Sequence, residues 1–285
     1  MKNVLITGVS TGMGRAAAEQ LVARGYRVFG SVRRTADAQA LSERLGGNFI
    51  PLVFDVADEA AVKEGLAQVT ETLAGAGLDA LVNNAGMAVS GPLMYLPAEE
   101  LRRQFDVNVF GLMNVTRAAL PLLGAREGHA HPPGRILNVS SIGGRLAFPF
   151  IGAYAASKHA LEALSDTLRR ELRIWGIDVI VLQPGAVKTE IWDKAESEDL
   201  GPYARTPYGP ILEKFRELFV AQGRKGLAPE VLARLIQHAI ETPRPRARYT
   251  AVPAYVTGWV LPRLMPDRWM DVLVGKQLGL ERRRP

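Results

Sequence analysis

From the N-terminus to about Leu182, short runs of β-branched and other apolar residues alternate with stretches whose apolar positions recur every three or four residues. The first pattern predicts strands and the second amphipathic helices, so the chain reads as successive strand–helix units around a parallel sheet. Predicted strands cover residues 4–7, 27–32, 49–54, 80–82, 135–139 and 178–182, and predicted helices 12–23, 37–45, 59–73, 99–123 and 154–174. The unbroken apolar run Val179-Ile180-Val181-Leu182 fits a strand covered on both faces. Six strands feeding helices on alternate sides make a doubly wound α/β sheet, whose ligand crevice lies beyond the strand carboxyl ends.

Beyond residue 187 the pattern changes. Residues 188–226 mix Pro, Gly and charge around one helical stretch near 211–220, which predicts a mobile insertion acting as a substrate lid. A helix resumes over 229–242, a last strand is predicted at 249–252, and an amphipathic tail follows. The expected organisation is one catalytic domain over 1–252, with its lid at about 188–226, and a basic C-terminal extension over 253–285.

Charge adds little to this picture, because its excess is local. Residues 1–242 balance 26 Lys and Arg against 26 Asp and Glu, whereas residues 243–285 carry nine against three. A neutral body with a basic tail does not predict a nucleic-acid surface. The chain has no cysteine, which excludes disulfides and thiolate catalysis and favours a cytoplasmic setting. Met1-Lys2 runs directly into the first predicted strand, so no export signal is expected. The uncharged stretch 80–98 contains Asn83, Asn84, Gly86, Gly91, Pro92 and Pro97, so it is not expected to span a bilayer.

Two clusters carry candidate chemistry. After the first strand comes Thr7-Gly8-Val9-Ser10-Thr11-Gly12-Met13-Gly14, leading into an Ala-rich helix. Glycines there let the backbone approach a pyrophosphate, and the helix N-terminus offers it free N–H groups. The same turn could equally be a tight strand-to-helix connection. The second cluster is Ser141, Tyr154 and Lys158. Tyr154 and Lys158, four apart on one helix, share a face. An ammonium beside a phenol is expected to lower its pKa from about 10, making Tyr154 a general acid or base. A lone Tyr-x3-Lys is also compatible with a packed phenol and a solvated amine. The four histidines, His129, His131, His159 and His238, form no metal-binding pattern.

Over roughly residues 2–189 these motifs resemble the short-chain dehydrogenase/reductase family, in its single-domain Tyr-x3-Lys form and closest to its hydroxysteroid- and retinol-converting members. The glycine turn matches the family's Thr-Gly-x3-Gly-x-Gly, and Asn83-Asn84-Ala85-Gly86 matches its Asn-Asn-Ala-Gly. Asn108, Ser141 (thirteen residues before Tyr154, with Ser140 as its competitor) and Tyr154-Ala155-Ala156-Ser157-Lys158 match the catalytic positions. Pro184-Gly185-Ala186-Val187-Lys188-Thr189 matches the nicotinamide loop. The resemblance implies a Rossmann-type sheet and hydride exchange between a nicotinamide and a secondary alcohol or ketone, or a primary alcohol or aldehyde. It implies Tyr154 as acid/base, Ser141 as carbonyl polariser, Lys158 on the nicotinamide ribose and Asn108 linking Lys158 to water.

For the cofactor, the resemblance implies contacts from Gly8, Ser10, Thr11, Gly12, Met13, Gly14, Asn84, Ala85, Gly86, Tyr154, Lys158, Pro184, Gly185, Val187 and Thr189, with Asp55 and Val56 at the adenine. NAD-binding relatives end the second strand with an acid, but here it runs Val32-Arg33-Arg34. Arg33 is therefore expected to grip a 2′-phosphate, which favours NADP(H) over NAD(H), although it could also be a solvated loop charge. Val89, Leu93, Leu146, Phe148, Phe150, Ile191, Trp192 and Tyr203 would line a pocket for a hydrophobic substrate. A homodimer or homotetramer through helices 99–123 and 154–174 is implied as well. The rivals are an epimerase or dehydratase of the same fold, a catalytically silent NADP(H) sensor, and a polyanion-binding role for the tail. The tail is expected to pack on the protein, with peripheral membrane contact as the alternative.

Overall fold

The computed structural model describes residues 1–197 and 199–281; position 198 of the expected lid and positions 282–285 of the extension lie outside the described residues. In chain order the main elements begin β1 (Asn3–Ile6), α1 (Gly12–Ala23), β2 (Arg27–Val32), α2 (Thr35–Leu45), β3 (Phe49–Val53), α3 (Glu59–Leu73) and β4 (Ala80–Asn83). Then come α4 (Ala98–Phe105), α5 (Leu112–Ala119), β5 (Arg135–Val139), α6 (Gly152–Glu171) and β6 (Asp178–Pro184). The chain continues through α7 (Ile191–Glu196), α8 (Gly201–Ala204), α9 (Gly209–Arg224), α10 (Pro229–Glu241), β7 (Arg248–Ala251), α11 (Leu261–Leu264) and α12 (Asp267–Leu278).

The strands form one seven-stranded parallel sheet in the order β3-β2-β1-β4-β5-β6-β7. This is the Rossmann-type doubly wound sheet that the alternating pattern predicts. Successive strand residues face opposite sides, so each strand feeds two cores. On one side Val4, Ile6, Leu137, Val139, Ile180 and Leu182 pack with Ala17 and Leu21 of α1 and Ile236 and Ile240 of α10. On the other, Leu5, Leu81, Ile136 and Val179 pack with Val62, Leu66 and Val69 of α3 and Val115 of α5. The predicted strand and helix bounds are met within three residues except in two places.

The helix expected over 99–123 is interrupted between α4 and α5 by a wider π-helical turn, Asp106–Gly111. Asn108 lies in that turn, and its amide accepts a hydrogen bond from the Met87 N–H at 2.9 Å and donates to the Met87 carbonyl at 3.0 Å. An extra residue per turn, common at functional sites, aims the side chain there. The expected lid holds three helices, α7 to α9, rather than one. α9 runs longer than expected because Leu212, Phe215 and Phe219 recur at helical spacing and find partners in Phe150, Ile151 and Leu278, far away in sequence.

The tail leaves β7 through a π-helical turn, Val256–Val260, into α11 and α12. Trp259 and Leu278 are buried, and Val274 and Leu280 join the cluster around Phe150 and Phe215. The other side of the tail is bare: Leu264 is 76% and Trp269 71% exposed. No helix among the described residues is long and apolar enough to cross a membrane.

Candidate active site and cofactor cleft

At the carboxyl end of β1 the chain turns through Gly8 and Gly12, whose φ values of 71° and 57° suit glycine. At Gly14 a Cβ would lie 2.3 Å from the Gly8 carbonyl oxygen and 2.4 Å from Asn84 Nδ2, so α1 can seat on the turn only with glycine there. Asn84 clamps the same turn, donating from Nδ2 to the carbonyls of Thr7 and Gly8, both at 2.9 Å. Thr7 Oγ1 in return accepts the N–H groups of Asn84 and Ala85. Ser10, Gly12 and Met13 are half-buried and Thr11 exposed. Thr11, at the N-cap, makes no capping bond with its side chain, and the first turn holds no acid. The leading N–H groups of α1 thus face a site suited to an anion.

The opposite wall is the stretch after β6. Pro184 ends that strand, the Gly185 N–H donates to the Ala251 carbonyl at 2.8 Å, and Val187 pairs with Leu227. Thr189 comes so close to the glycine turn that a Cβ on Gly12 would be 3.0 Å from its Cγ2. Arg15 and Glu190, neither singled out by the sequence motifs, form a 2.9 Å ion pair across this mouth. Beyond β2, Arg34 is held by Asp37 at 2.7 Å, whereas exposed Arg33 makes no hydrogen bond or ion pair among the described residues. Of the two arginines, Arg33 is the one at liberty. Past β3, Asp55 Oδ1 accepts the Ala57 N–H and the Val56 carbonyl accepts Asn114 Nδ2. A glycine turn under open N–H groups, a facing loop and an unengaged arginine together fit a nicotinamide dinucleotide.

The candidate reacting groups gather where β4, β5 and α6 meet. Lys158 is buried and donates to the Val139 carbonyl at 2.8 Å. Its Nζ lies 5.8 Å from the centre of the Tyr154 ring. Tyr154 and Ser141 meet against Gly143, where a Cβ would be 3.2 Å from Tyr154 Cε1 and 3.4 Å from Ser141 Oγ, and Ser141 Oγ accepts the Gly143 N–H at 3.0 Å. Ser140 instead points into the interior, its hydroxyl buried without a partner among the described residues. Asn108 Nδ2 donates to Ser157 Oγ at 3.1 Å, and Ser157 donates to the Tyr154 carbonyl at 2.7 Å. A Cβ on exposed Gly86 would be 3.3 Å from Asn108 Oδ1 and 3.8 Å from Lys158 Nζ, so Asn108, Gly86 and Lys158 share one corner.

The electrostatics depart from the expectation of an acidified phenol. Burial raises the Tyr154 pKa above its ordinary value of 10.0, only partly offset by the Ser141 hydrogen bond. Burial also lowers Lys158 from 10.5 to about 8, against the attraction of Glu162, which raises it. Desolvation penalises both charged forms, and it outweighs Ser141 at the phenol and Glu162 at the amine. Near neutral pH the pair is therefore a protonated phenol beside an ammonium.

Above Tyr154 lies an aromatic wall. Phe148 and Tyr203 pack with Phe150, and the Phe150 ring lies 5.4 Å from Phe215 and 6.0 Å from Tyr208. Phe150 is buried at φ 68°, a left-handed conformation that costs a bulky residue about 1–2 kcal/mol. Trp192 faces Phe219 at 5.1 Å and donates to the Val187 carbonyl. Leu146 is half-buried and Val89 fully buried, while Leu93 and Ile191 are 61% and 43% exposed and lie at the rim. The sequence reading of the wall lacks Tyr208, Phe215 and Phe219; with Leu212 between them they recur every three or four residues, which was the available signal.

The family model described as short chain dehydrogenase matches residues 2–200. The chain is 40% identical over 278 residues to an NADPH-dependent 3-dehydrocapnine reductase of Ornithobacterium rhinotracheale, covering 98% of each. It is 33% identical over 293 residues to the estradiol 17-beta-dehydrogenase 2 of Mus musculus, covering 96% of this chain and 74% of that one. The structure of a short chain dehydrogenase/reductase from Burkholderia phymatum in complex with NAD superposes with a TM-score of 0.77 at 27% identity, covering 96% and 94% of the two chains. A glycine turn facing an assembled serine, tyrosine and lysine thus agrees with similarity along almost the whole chain, and this protein belongs to the short-chain dehydrogenase/reductase family as an NAD(P)-dependent oxidoreductase of CH–OH groups.

Proposed function

We propose that this enzyme interconverts a hydrophobic secondary alcohol and its ketone, or a primary alcohol and its aldehyde, with NADP(H) and with Tyr154 as the proton-transfer group. The observation that carries the reading is the meeting of Tyr154 and Ser141 at Gly143, with Tyr154 packed against the Phe148–Phe150–Tyr203–Tyr208 wall. The nicotinamide, when bound, supplies or accepts the hydride. Tyr154 donates the proton to the carbonyl oxygen in reduction, Ser141 donates a second hydrogen bond to that oxygen, and Lys158 holds the ribose. Burial holds the Tyr154 phenol in its protonated form, the form that donates to a carbonyl oxygen. Asn108, through Ser157 and Met87, holds the π-helical turn at the Lys158 corner.

Preference for NADP(H) is supported by unengaged Arg33 and by the NADPH dependence of the Ornithobacterium rhinotracheale relative. A catalytically silent sensor is less consistent with the molecule, since sensing needs only the cofactor cleft and gives Ser141 and Tyr154 no task. Exposed Leu101, Phe110 and Ile174 support a homodimer or homotetramer through α4–α5 and α6, to be tested by light scattering. A cysteine-free chain accords with cytoplasmic placement. Bare Leu264 and Trp269 support peripheral membrane contact, to be tested by sedimentation with anionic vesicles. The deciding experiment is NADPH oxidation against a panel of steroid, retinoid, aliphatic and aromatic carbonyls. Turnover of apolar carbonyls supports the reading, and inertness towards the whole panel despite tight NADPH binding overturns it.

A further inference from the structure

One charged side chain beside the reacting groups has no part in the mechanism above. Tyr154, Lys158, Glu162 and Asp166 lie four residues apart, on one face of α6. Glu162 is only 3% exposed, and its two oxygens are engaged from three other parts of the fold. Oε1 accepts Gln183 Nε2 of β6 at 2.9 Å. Oε2 accepts Arg248 Nε of β7 at 2.9 Å and lies 3.1 Å from an Arg145 guanidinium nitrogen. A buried carboxylate is costly unless its partners are well placed, and removing one partner is more costly still. Such a group is expected either to lock geometry or to set a neighbour's charge.

Arg145 connects it to the reaction. Ser141 caps the short turn Ile142–Gly144, and Arg145 follows immediately. That turn lies tight on α6: a Cβ on Gly144 would be 3.0 Å from both Glu162 Cγ and the Lys158 carbonyl oxygen. We propose that Glu162 is a positioning residue of the reaction, binding Arg145, Gln183 and Arg248 at once and so fixing the Ser141 turn against the helix that carries Tyr154 and Lys158. Its charge also supports the ammonium of buried Lys158. The charged groups that bear on Glu162 are Lys158 and Asp166 on its own helix, Arg145 after β5 and Arg248 on β7. Arg248 is shared with Asp166 at 2.9 Å, and Asp166 also meets Arg169 at 3.3 Å. β6 contributes only neutral Gln183, and the π-helical turn only neutral Asn108.

This rests on the proposed roles of Tyr154 and Lys158, and its test keeps the two apart. Carbonyl reduction and NADPH affinity are measured from pH 6 to 10 on full-length wild type, Glu162→Gln, Glu162→Asp and Arg145→Gln. The Glu162→Gln enzyme is expected to lose about tenfold to a hundredfold in kcat with a much smaller change in KM. Losing the carboxylate moves the alkaline limb of both profiles to lower pH, because Lys158 gives up its proton sooner. Arg145→Gln also lowers kcat but moves the limb to higher pH, since it removes a cation that offsets the Glu162 charge acting on Lys158. Glu162→Asp restores the limb at least in part. Limbs that stay at the wild-type pH in both Glu162→Gln and Arg145→Gln, with only the melting temperature lowered, overturn the inference. A Glu162→Gln protein that does not fold leaves the variant at exposed Arg145 to decide by its shift to higher pH. Absence of wild-type turnover on any carbonyl counts against the proposed function, while the pH dependence of NADPH affinity still decides the role of Glu162.

Discussion

The cofactor-side half of the cleft and the substrate-side half are held by different forces. On the cofactor side Thr7, Asn84 and Asn108 make directional bonds to backbone groups of neighbouring segments, and Asn108 also donates to Ser157 Oγ, each within 3.1 Å. On the substrate side Phe150, Tyr208, Phe215 and Phe219 meet as rings 5.1–6.0 Å apart, with little polar bonding between them. Directional bonds specify atom positions and fail abruptly when one partner goes. Aromatic packing tolerates change in increments, as non-directional burial does. Chemistry common to many substrates belongs on the first side, and substrate fit, which varies, on the second.

The contrast predicts that damage falls off steeply from one side to the other. Tyr154→Phe should cut kcat by about 10²–10⁴-fold while NADPH affinity stays within about twofold, because only the proton-transfer hydroxyl is lost. Near-normal turnover of the Tyr154→Phe enzyme on a well-reduced carbonyl ends the catalytic assignment. Arg33→Ala should weaken NADPH by about tenfold to a hundredfold, the worth of one charge-assisted contact, and leave NADH almost unchanged. Equal wild-type dissociation constants for NADPH and NADH would remove its basis.

Effects on the substrate side should be smaller. Deleting residues 254–285 bares the surfaces covered by Trp259 and Leu278, so the melting temperature should fall by about 5 °C. KM for bulky apolar substrates should rise about threefold, with NADPH affinity unchanged. Unaltered melting and kinetics, with vesicle binding lost, would make the tail a membrane element alone. The smallest effect has an unusual sign. Phe150→Gly should be more stable than Phe150→Ala by about 1 kcal/mol in denaturant unfolding, since only glycine is at ease at φ 68°. The opposite order would mean that the backbone relaxes once the ring is gone.

The strands and the candidate cluster of Tyr154 and Lys158 were legible from the chain alone, and for local reasons. Runs such as Val179–Leu182 are continuous because both faces of the sheet are covered, and a glycine turn or a Tyr-x3-Lys is read within one turn of backbone. What escaped depends on partners distant in sequence. The break at Asp106–Gly111 is tied to Asn108 meeting the Met87 backbone, 21 residues away, and α9 owes its full length to Phe150 and Leu278. The buried charge of Glu162 is explained only by Arg145, Gln183 and Arg248, which come from three other segments. Spacing alone determined that Lys158 would stand beside Tyr154. Tertiary packing decided which way their protons shift, because it shuts out the water that would otherwise stabilise phenolate and ammonium.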